Sequence, residues 1–350
     1  MSSSAPKPNS SKLRILFVTA GDKNKASSRV RAYWIAEELN VLGHHCTILP
    51  QYRRADLVEL FTSIPKHDVI VFQKTYGRYH CWLQLFTRML GKQTYVDIDD
   101  APSIKNEKHT LRRVAKMMRR ATGVFAGSNS LVEYSTQYQS DTHLIPSAIK
   151  LKNYPLKTTN DHSDQSICLG WIGNGNYYAD DLIKILTEPL SKLAANHSIR
   201  LKIVGVCGNR KLHNAFVDIP NLKVNCIDQI DWGKPEVVAE QIHSFDIGLY
   251  PLLETRFNKF KCGFKALEYM ACGLPVVSSK IAANESIITH EHNGFFAEDS
   301  NEWINYLEKL ICDADLRLST GKNGRRTVDR HYNTIYVSQK ISDLIWNNYS

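Results

Sequence analysis

The strongest constraint on this chain is an alternation of short unbroken apolar runs with amphipathic stretches, and it occurs twice. The first pass opens with LRILFVTA (13–20). RVRAYWIAEELNVLG (29–43) follows, apolar at helical spacing and closed by Gly43. CTILP (46–50), DVIVFQ (68–73), QTYVDID (93–99), GVFAGS (123–128) and THLIPS (142–147) complete it. The second pass starts at ICLGWIG (167–173), continues through the helical DDLIKILTEPLSKLAAN (180–196), and then through IRLKIVGV, LKVNCI and DIGLYPL. FKALEYMACG (264–273) is a helix stopped by Gly273; LPVVSS and NGFFAE are strands, and two or three helices close the chain. Strands that are apolar on both faces must be covered on both faces, so each pass predicts an α/β domain with a doubly wound, Rossmann-like parallel sheet. The break between them, KLKNYPLKTTNDHSDQS (150–166), is polar and carries a proline, as a linker does. The expected division is a disordered leader over 1–11, a first domain over 12–150, a linker over 151–166 and a second domain from 167. In such folds ligands bind beyond the carboxyl ends of the strands, so the cleft between the domains is the expected site.

Composition removes several alternatives. With 43% hydrophobic and 23% charged residues, whole-chain disorder is excluded. No apolar run approaches the roughly 18–20 residues that span a bilayer, and the first twelve residues have no secretory apolar core. The eight cysteines show neither CxxC nor disulfide-framework spacing, which predicts buried free thiols in a reducing cytosol. No GxSxG, HExxH or Walker sequence occurs, and GNGN (173–176) fails GxGxxG because Tyr178 fills the third glycine position.

The net charge of +9 is unevenly placed: residues 1–150 hold 22 Lys and Arg against 12 Asp and Glu. That asymmetry points the N-terminal half toward an anionic partner. In KNEKHTLRRVAKMMRR (105–120), Lys105, Lys108, Arg112, Lys116 and Arg119 fall on one helical face and Leu111, Val114, Met117 and Met118 on the other. This pattern suits a solvated helix face or a surface that docks on anionic lipid headgroups. Nucleic-acid binding is not expected, because interleaved aromatics and a recognition motif are both lacking.

The most specific segment is FNKFKCGFKALEYMACGLPVV (257–277). A loop with Lys259 and Lys261 leads into a helix that presents Lys265 and Glu268. Lysines at a helix N-terminus make an anion site suited to a diphosphate, and a carboxylate one turn on can accept two hydroxyl hydrogen bonds. In the first half, Arg29 and Arg31 open the helix that follows the first strand. They could contact a phosphate or an acceptor in the cleft, or lie on the surface. YVDIDDAP puts Asp97, Asp99 and Asp100 at a strand's carboxyl end, costly unless solvated or partnered. Asp97-Ile-Asp99 also spells a DxD motif, but a metal is not expected at it.

FKALEYMACGLPVVSS, with Glu285 and NGFF downstream, resembles the donor-binding region of family 4 glycosyltransferases of the GT-B fold. The likeness is good over the C-terminal half and extends more weakly through SSRVRAYWIAEEL and YVDIDDAPS. It implies transfer of a sugar from a nucleotide-diphosphate sugar, with retention of configuration and no metal or other cofactor. It places Glu268 on the ribose and Lys261 and Lys265 by the diphosphate. Gly173, Asn174 and Gly175 fall near the phosphates, Ile230 along the nucleobase and Gly294 in the turn behind. Asp99 and Asp100 become candidates for acceptor binding or deprotonation. The final stretch, 326–350, is expected to cross back onto the first domain.

Two positions depart from the family pattern. The glutamate expected eight residues before Glu268 is Phe260, with Glu254 the nearby substitute. The usual Arg and Lys after the first donor-domain strand are absent from GNGNYYADD, leaving Lys259, Lys261, Lys265, Arg29 and Arg31 to meet the phosphate charge. The implied setting is cytoplasmic, peripheral at a membrane, in assembly of a cell-surface polysaccharide or glycolipid on a glycan or lipid-linked, anionic acceptor. The competing readings are a GT-B nucleotide-sugar epimerase or hydrolase, and a non-catalytic nucleotide- or glycan-binding protein of the same fold.

Overall fold

A computed structural model of the chain describes residues 12–51, 56–102, 107–157 and 166–349. The expected leader, residues 158–165 of the expected linker and Lys105 lie outside the described residues.

The first domain contains β1 (Arg14–Thr19), α1 (Ala26–Ser28), α2 (Trp34–Val41), β2 (His45–Pro50), α3 (Asp56–Ser63), β3 (Val69–Gln73), α4 (Arg78–Met89), β4 (Gln93–Ile98), α5 (Lys108–Arg120), β5 (Gly123–Ala126), α6 (Asn129–Thr136) and β6 (Thr142–Leu144). The second has β7 (Ile167–Ile172), α7 (Gly175–Asn196), β8 (Ile199–Val204), α8 (Arg210–Asn214), β9 (Lys223–Ile227), α9 (Pro235–His243), β10 (Ile247–Tyr250), α10 (Phe264–Ala271), β11 (Val276–Ser278), α11 (Asn284–Ile287), β12 (Phe295–Phe296), α12 (Ser300–Cys312) and α13 (Ala314–His331). α14 (Thr334–Tyr349) ends the chain.

Each domain carries a six-stranded sheet, in the orders β2-β1-β3-β4-β5-β6 and β12-β11-β10-β7-β8-β9. Every pairing is parallel, in keeping with strands that are apolar on both faces. In the first domain one face is packed by Leu60 of α3 and Ile64 just after it, Leu83 of α4, and Val114, Met117 and Met118 of α5. The other face is packed by Ile35 and Leu39 of α2 together with Val337, Ile341 and Ile345 of α14. The C-terminal helix α14 lies on the first domain, where Ser342 Oγ is 2.8 Å from His44 Nε2. The crossing begins only after His331, because α13 packs on α10 in the second domain.

Three local features shape the cleft. Between α1 and α2, residues Arg29–Tyr33 form a π-helical turn, a wider winding that tends to occur at functional sites. GNGN is a helix start: the Asn174 side chain accepts from Asn176 N at 3.0 Å and caps the 22-residue α7. The loop 258–263 of the second domain reaches into the core of the first, where Phe260 meets Tyr134 edge-on at 6.0 Å between ring centroids. There Cys262 Sγ lies 3.0 Å from the Asp99 carbonyl oxygen. The cysteines are all free, yet Cys312 is exposed and Cys46, Cys207 and Cys226 are only half-buried, so the expectation of uniformly buried thiols is corrected.

Candidate functional site

A cavity of about 410 Å³ lies between the domains, at the carboxyl ends of β4 and β7 and the N-terminus of α10. Its walls bring together Arg29, Asp99, Asp100, Gly173, Asn174, Lys261, Lys265 and Glu268, residues more than two hundred positions apart at the extremes.

α10 starts from Gly263, whose φ of +66° is a left-handed turn that a side chain would strain; a Cβ there would also meet Ile287 at 2.3 Å. That turn aims the helix so that Glu268 faces the cavity while only 8% exposed. Its Oε1 accepts a 2.8 Å hydrogen bond from the Tyr154 hydroxyl. Burial pushes the Glu268 carboxyl up to about 7, against the pull of Tyr154, Lys265 and Arg29. Tyr154 belongs to the stretch read as linker, yet it is 1% exposed. A polar tract hid an aromatic whose hydroxyl orients the principal carboxylate.

Lys265 Nζ sits 3.8 Å from the ring centroid of Tyr178, 5.4 Å from that of Tyr250 and 5.6 Å from that of Trp171. Ring faces hold the ammonium, and among the described residues no carboxylate lies within ion-pair distance of it. Gly173 makes room for it: a Cβ at that position would lie 2.5 Å from Lys265 Cε. Lys261 is 3.8 Å from the Phe257 ring centroid and 3.5 Å from Asp100 Oδ1. Burial lowers the Lys261 pKa, with Asp100 opposing.

The opposite wall pairs its carboxylates with bases, Asp100 with Lys261 across the cleft as well as with Lys74. Lys74 Nζ bridges Asp99 at 3.1 Å and Asp100 at 3.6 Å. Burial works against both charges, but Lys74 and Arg31 outweigh it at Asp99, whose pKa falls. Asp99 and Asp100 outweigh it at Lys74, whose pKa rises. Lys74 also holds a φ of 51°, uncommon for a side-chain-bearing residue. Its placement had no sequence signal, because it is a lone lysine after a strand.

The predicted residues divide by position. Arg29 lines the cavity, donating from Nη1 to the Lys23 carbonyl at 3.1 Å; its buried Nε has no hydrogen-bond partner among the described residues. Arg31 does not line it: its guanidinium lies behind β4, with Nη2 2.6 Å from Asp97 Oδ2 and Nη1 2.6 Å from the Ile145 carbonyl oxygen. The π turn separates the two arginines, sending one to the cavity and one to the core. Gly175 is packed against the carbonyl oxygens of Val206 and Gly205, and Gly294 against Val276; neither lines the cavity. Ile230 packs on the second-domain core, while Trp232, two residues on, supplies the cavity's aromatic wall. Lys259 and Glu254 line a different cavity, of about 750 Å³, at the ends of β10, β11 and β12. Phe260, at the position of the missing glutamate, faces the first domain and not the donor-side wall. The Asp97 carboxylate is spent on Arg31, so the DxD spelling does not present two free carboxylates.

Two facing parallel-sheet domains, joined by a cleft and locked by a returning C-terminal helix, define the GT-B fold. Solved structures agree over nearly the whole chain. One is Anabaena Alr3699/HepE in complex with UDP and glucose, with a TM-score of 0.71 and 14% identity, covering 95% of this chain and 99% of that one. Another is a glycosyltransferase from Rickettsia africae, with a TM-score of 0.74 and 13% identity, covering 97% and 99%. Residues 167–313, within the C-terminal domain, match the family model of glycosyl transferases group 1. Among curated proteins, D-inositol 3-phosphate glycosyltransferase of Stackebrandtia nassauensis is 26% identical over 163 residues, 44% of this chain and 36% of that protein. The matched stretch thus spans about a third of that relative.

Proposed function

We propose that this chain is a glycosyltransferase that moves a sugar from a nucleotide-diphosphate sugar to a glycan or lipid-linked acceptor. The observation that carries the reading is the pairing of Lys265 and Glu268 on one short helix. An ammonium held on aromatic rings, with no carboxylate partner among the described residues, and a carboxylate aligned by Tyr154 both face one cavity. An anion beside Lys265, Lys261 and Arg29 would supply the missing countercharge, and a ribose would supply hydroxyls for the open lone pairs of Glu268. In this reading Trp232, which lines the cavity, contacts the base. Support also comes from the family match of the C-terminal domain and from the nucleotide named in complex with a structural neighbour.

In the proposed reaction the bond between the anomeric carbon and the diphosphate breaks as charge grows on the leaving phosphate oxygen. Lys265 and Lys261 stabilise that charge, and the acceptor hydroxyl attacks from the same face, giving retention. A phosphate oxygen of the donor takes the acceptor's proton. Asp99 and Asp100, held by Lys74, orient the acceptor. No step needs a metal ion or another cofactor. The proposed donor is a hexosyl nucleotide and the proposed setting is cell-surface glycan assembly on the cytoplasmic side of a membrane.

A thermal-shift screen of UDP, GDP, ADP and CMP with their sugar conjugates, with and without EDTA, tests the donor site. Stabilisation by one diphosphate, indifferent to EDTA and lost in Glu268→Ala, is the expected result. No shift at millimolar nucleotide would sink the reading. Donor incubated alone should stay intact; free or epimerised sugar would favour the epimerase or hydrolase alternative instead.

A further inference from the structure

α4 has a second apolar stripe along its outer side, with half-buried Phe86 joining it to the core. Tyr79, Trp82, Phe86 and Met89 recur at i, i+3, i+7 and i+10, and Tyr79, Trp82 and Met89 are 50%, 70% and 78% exposed. Phe86 stacks at 4.5 Å between ring centroids on Phe61 of α3, whose neighbour Val58 is also exposed. α5 lies against the other flank of α4, where Gln84 Nε2 donates to the Met117 carbonyl at 2.8 Å. All three helices cover the same sheet face, so their outer sides form one continuous surface. On it α4 and α5 carry eight Lys and Arg and no acid, while the acids of α3 are Asp56 and Glu59 and Glu107 precedes α5. Lys108, Arg112, Lys116 and Arg119 are exposed, with no carboxylate ion-pair partner among the described residues.

We infer that this α3–α4–α5 face docks on an anionic phospholipid bilayer. Aromatic and Met side chains flanked by bases that carry no carboxylate partner among the described residues, Arg119 resting on the Tyr138 ring at 5.0 Å, match the boundary between acyl chains and anionic headgroups. A second copy of the chain is a poorer occupant, because a two-fold contact would bring the two sets of bases together. The face is on the outer side of the first domain's helices, separate from the cleft. The inference goes beyond the transferase reading and stands without it, because vesicle binding is measured with no donor present.

The test is co-sedimentation of the full chain with vesicles of phosphatidylcholine alone or with about one-third phosphatidylglycerol. Wild type should partition onto the anionic vesicles and lose that binding in high salt. Neutralising Arg112, Lys116 and Arg119 to Gln should weaken binding about 100-fold, roughly fivefold per base. Trp82→Ala with Met89→Ala should weaken it at least about tenfold. These positions are exposed, so unchanged melting curves would show that folding is intact. Wild type left in the supernatant, equal binding to neutral vesicles, or apolar variants that sediment like wild type would each overturn the inference. So would a dimer broken by Trp82→Ala, or tighter binding to a single-stranded oligonucleotide than to anionic vesicles.

Discussion

The two walls of the cleft treat charge in opposite ways. On the N-terminal side Arg31 is matched by Asp97, and Lys74 by Asp99 and Asp100, so these charges are compensated within the protein, and Arg29 alone among the cavity's N-terminal bases has no carboxylate partner among the described residues. On the C-terminal side Lys265 rests on aromatic rings, and Glu268 is buried with a pKa raised to about 7. A compensated wall is stable without ligand and acts as a fixed template. An uncompensated wall carries an unfavourable field that an incoming anion and its hydroxyls can relieve. The contrast separates residues that hold the site together from residues that await the substrate.

The largest effect should come from breaking one partner of the compensated wall. Arg31→Met leaves Asp97 buried without its countercharge and should cost about 3–5 kcal/mol. Melting should fall by on the order of 10 °C. Adding Asp97→Leu should restore much of that loss, and a double mutant no more stable than the single would break the comparison.

On the other wall, removing a charge should stabilise the free protein. The folded pKa of Glu268 lies above the ordinary carboxyl value, so between about pH 4.5 and 7 the folded state holds more protons than the unfolded one. Its contribution to stability is full at low pH and is lost as pH rises through about 7. Glu268→Gln should therefore gain up to on the order of 3 kcal/mol at pH 8, shrinking toward zero near pH 4. Denaturant melts across that range would show it. A ribose that needs the carboxylate should also bind more tightly as pH rises through 7 in wild type, and the variant should lose that slope.

Lys265→Ala should weaken nucleoside diphosphate binding about 10- to 100-fold, the range for a charge-assisted hydrogen bond, with little change in melting of the free protein. Calorimetric titration measures it, and a variant that melts far lower would place Lys265 in the structural class with Arg31. The smallest effect belongs to Phe260→Ala. Loss of a half-buried ring at the contact with Tyr134 should cost about 1–2 kcal/mol. It should loosen the contact between the domains, seen as an increase in radius of gyration by small-angle scattering.

Much of the scaffold was legible because buried parallel strands leave a local signature. β1, β3, β4, β7, β8 and β10 fall within their apolar runs. α10 was legible for a similar reason, since its glycine start, lysines and Glu268 lie within a few residues. α4 was not, because apolar residues on both its inner and outer sides blur the helical period. Tyr154 and Lys74 were missed because each does its work through a partner distant in sequence, Glu268 and the Asp99–Asp100 pair. Arg29 and Arg31 look equivalent in sequence, but residues two apart on a helical turn point to opposite sides, and only the packing on Asp97 and Ile145 shows which side is core.

The sequence by itself determined two doubly wound α/β domains and the helix that carries Lys265 and Glu268, because strand burial, helix capping and local charge act over neighbouring residues. Only the tertiary structure decided which charges are satisfied and which are left open. It set Arg31 on Asp97, gave Glu268 its tyrosine, turned Phe260 into an interdomain contact and gathered an apolar stripe beside a basic helix. Countercharge and solvent exclusion depend on distances between segments far apart in the chain, and those distances exist only once the sheets have packed.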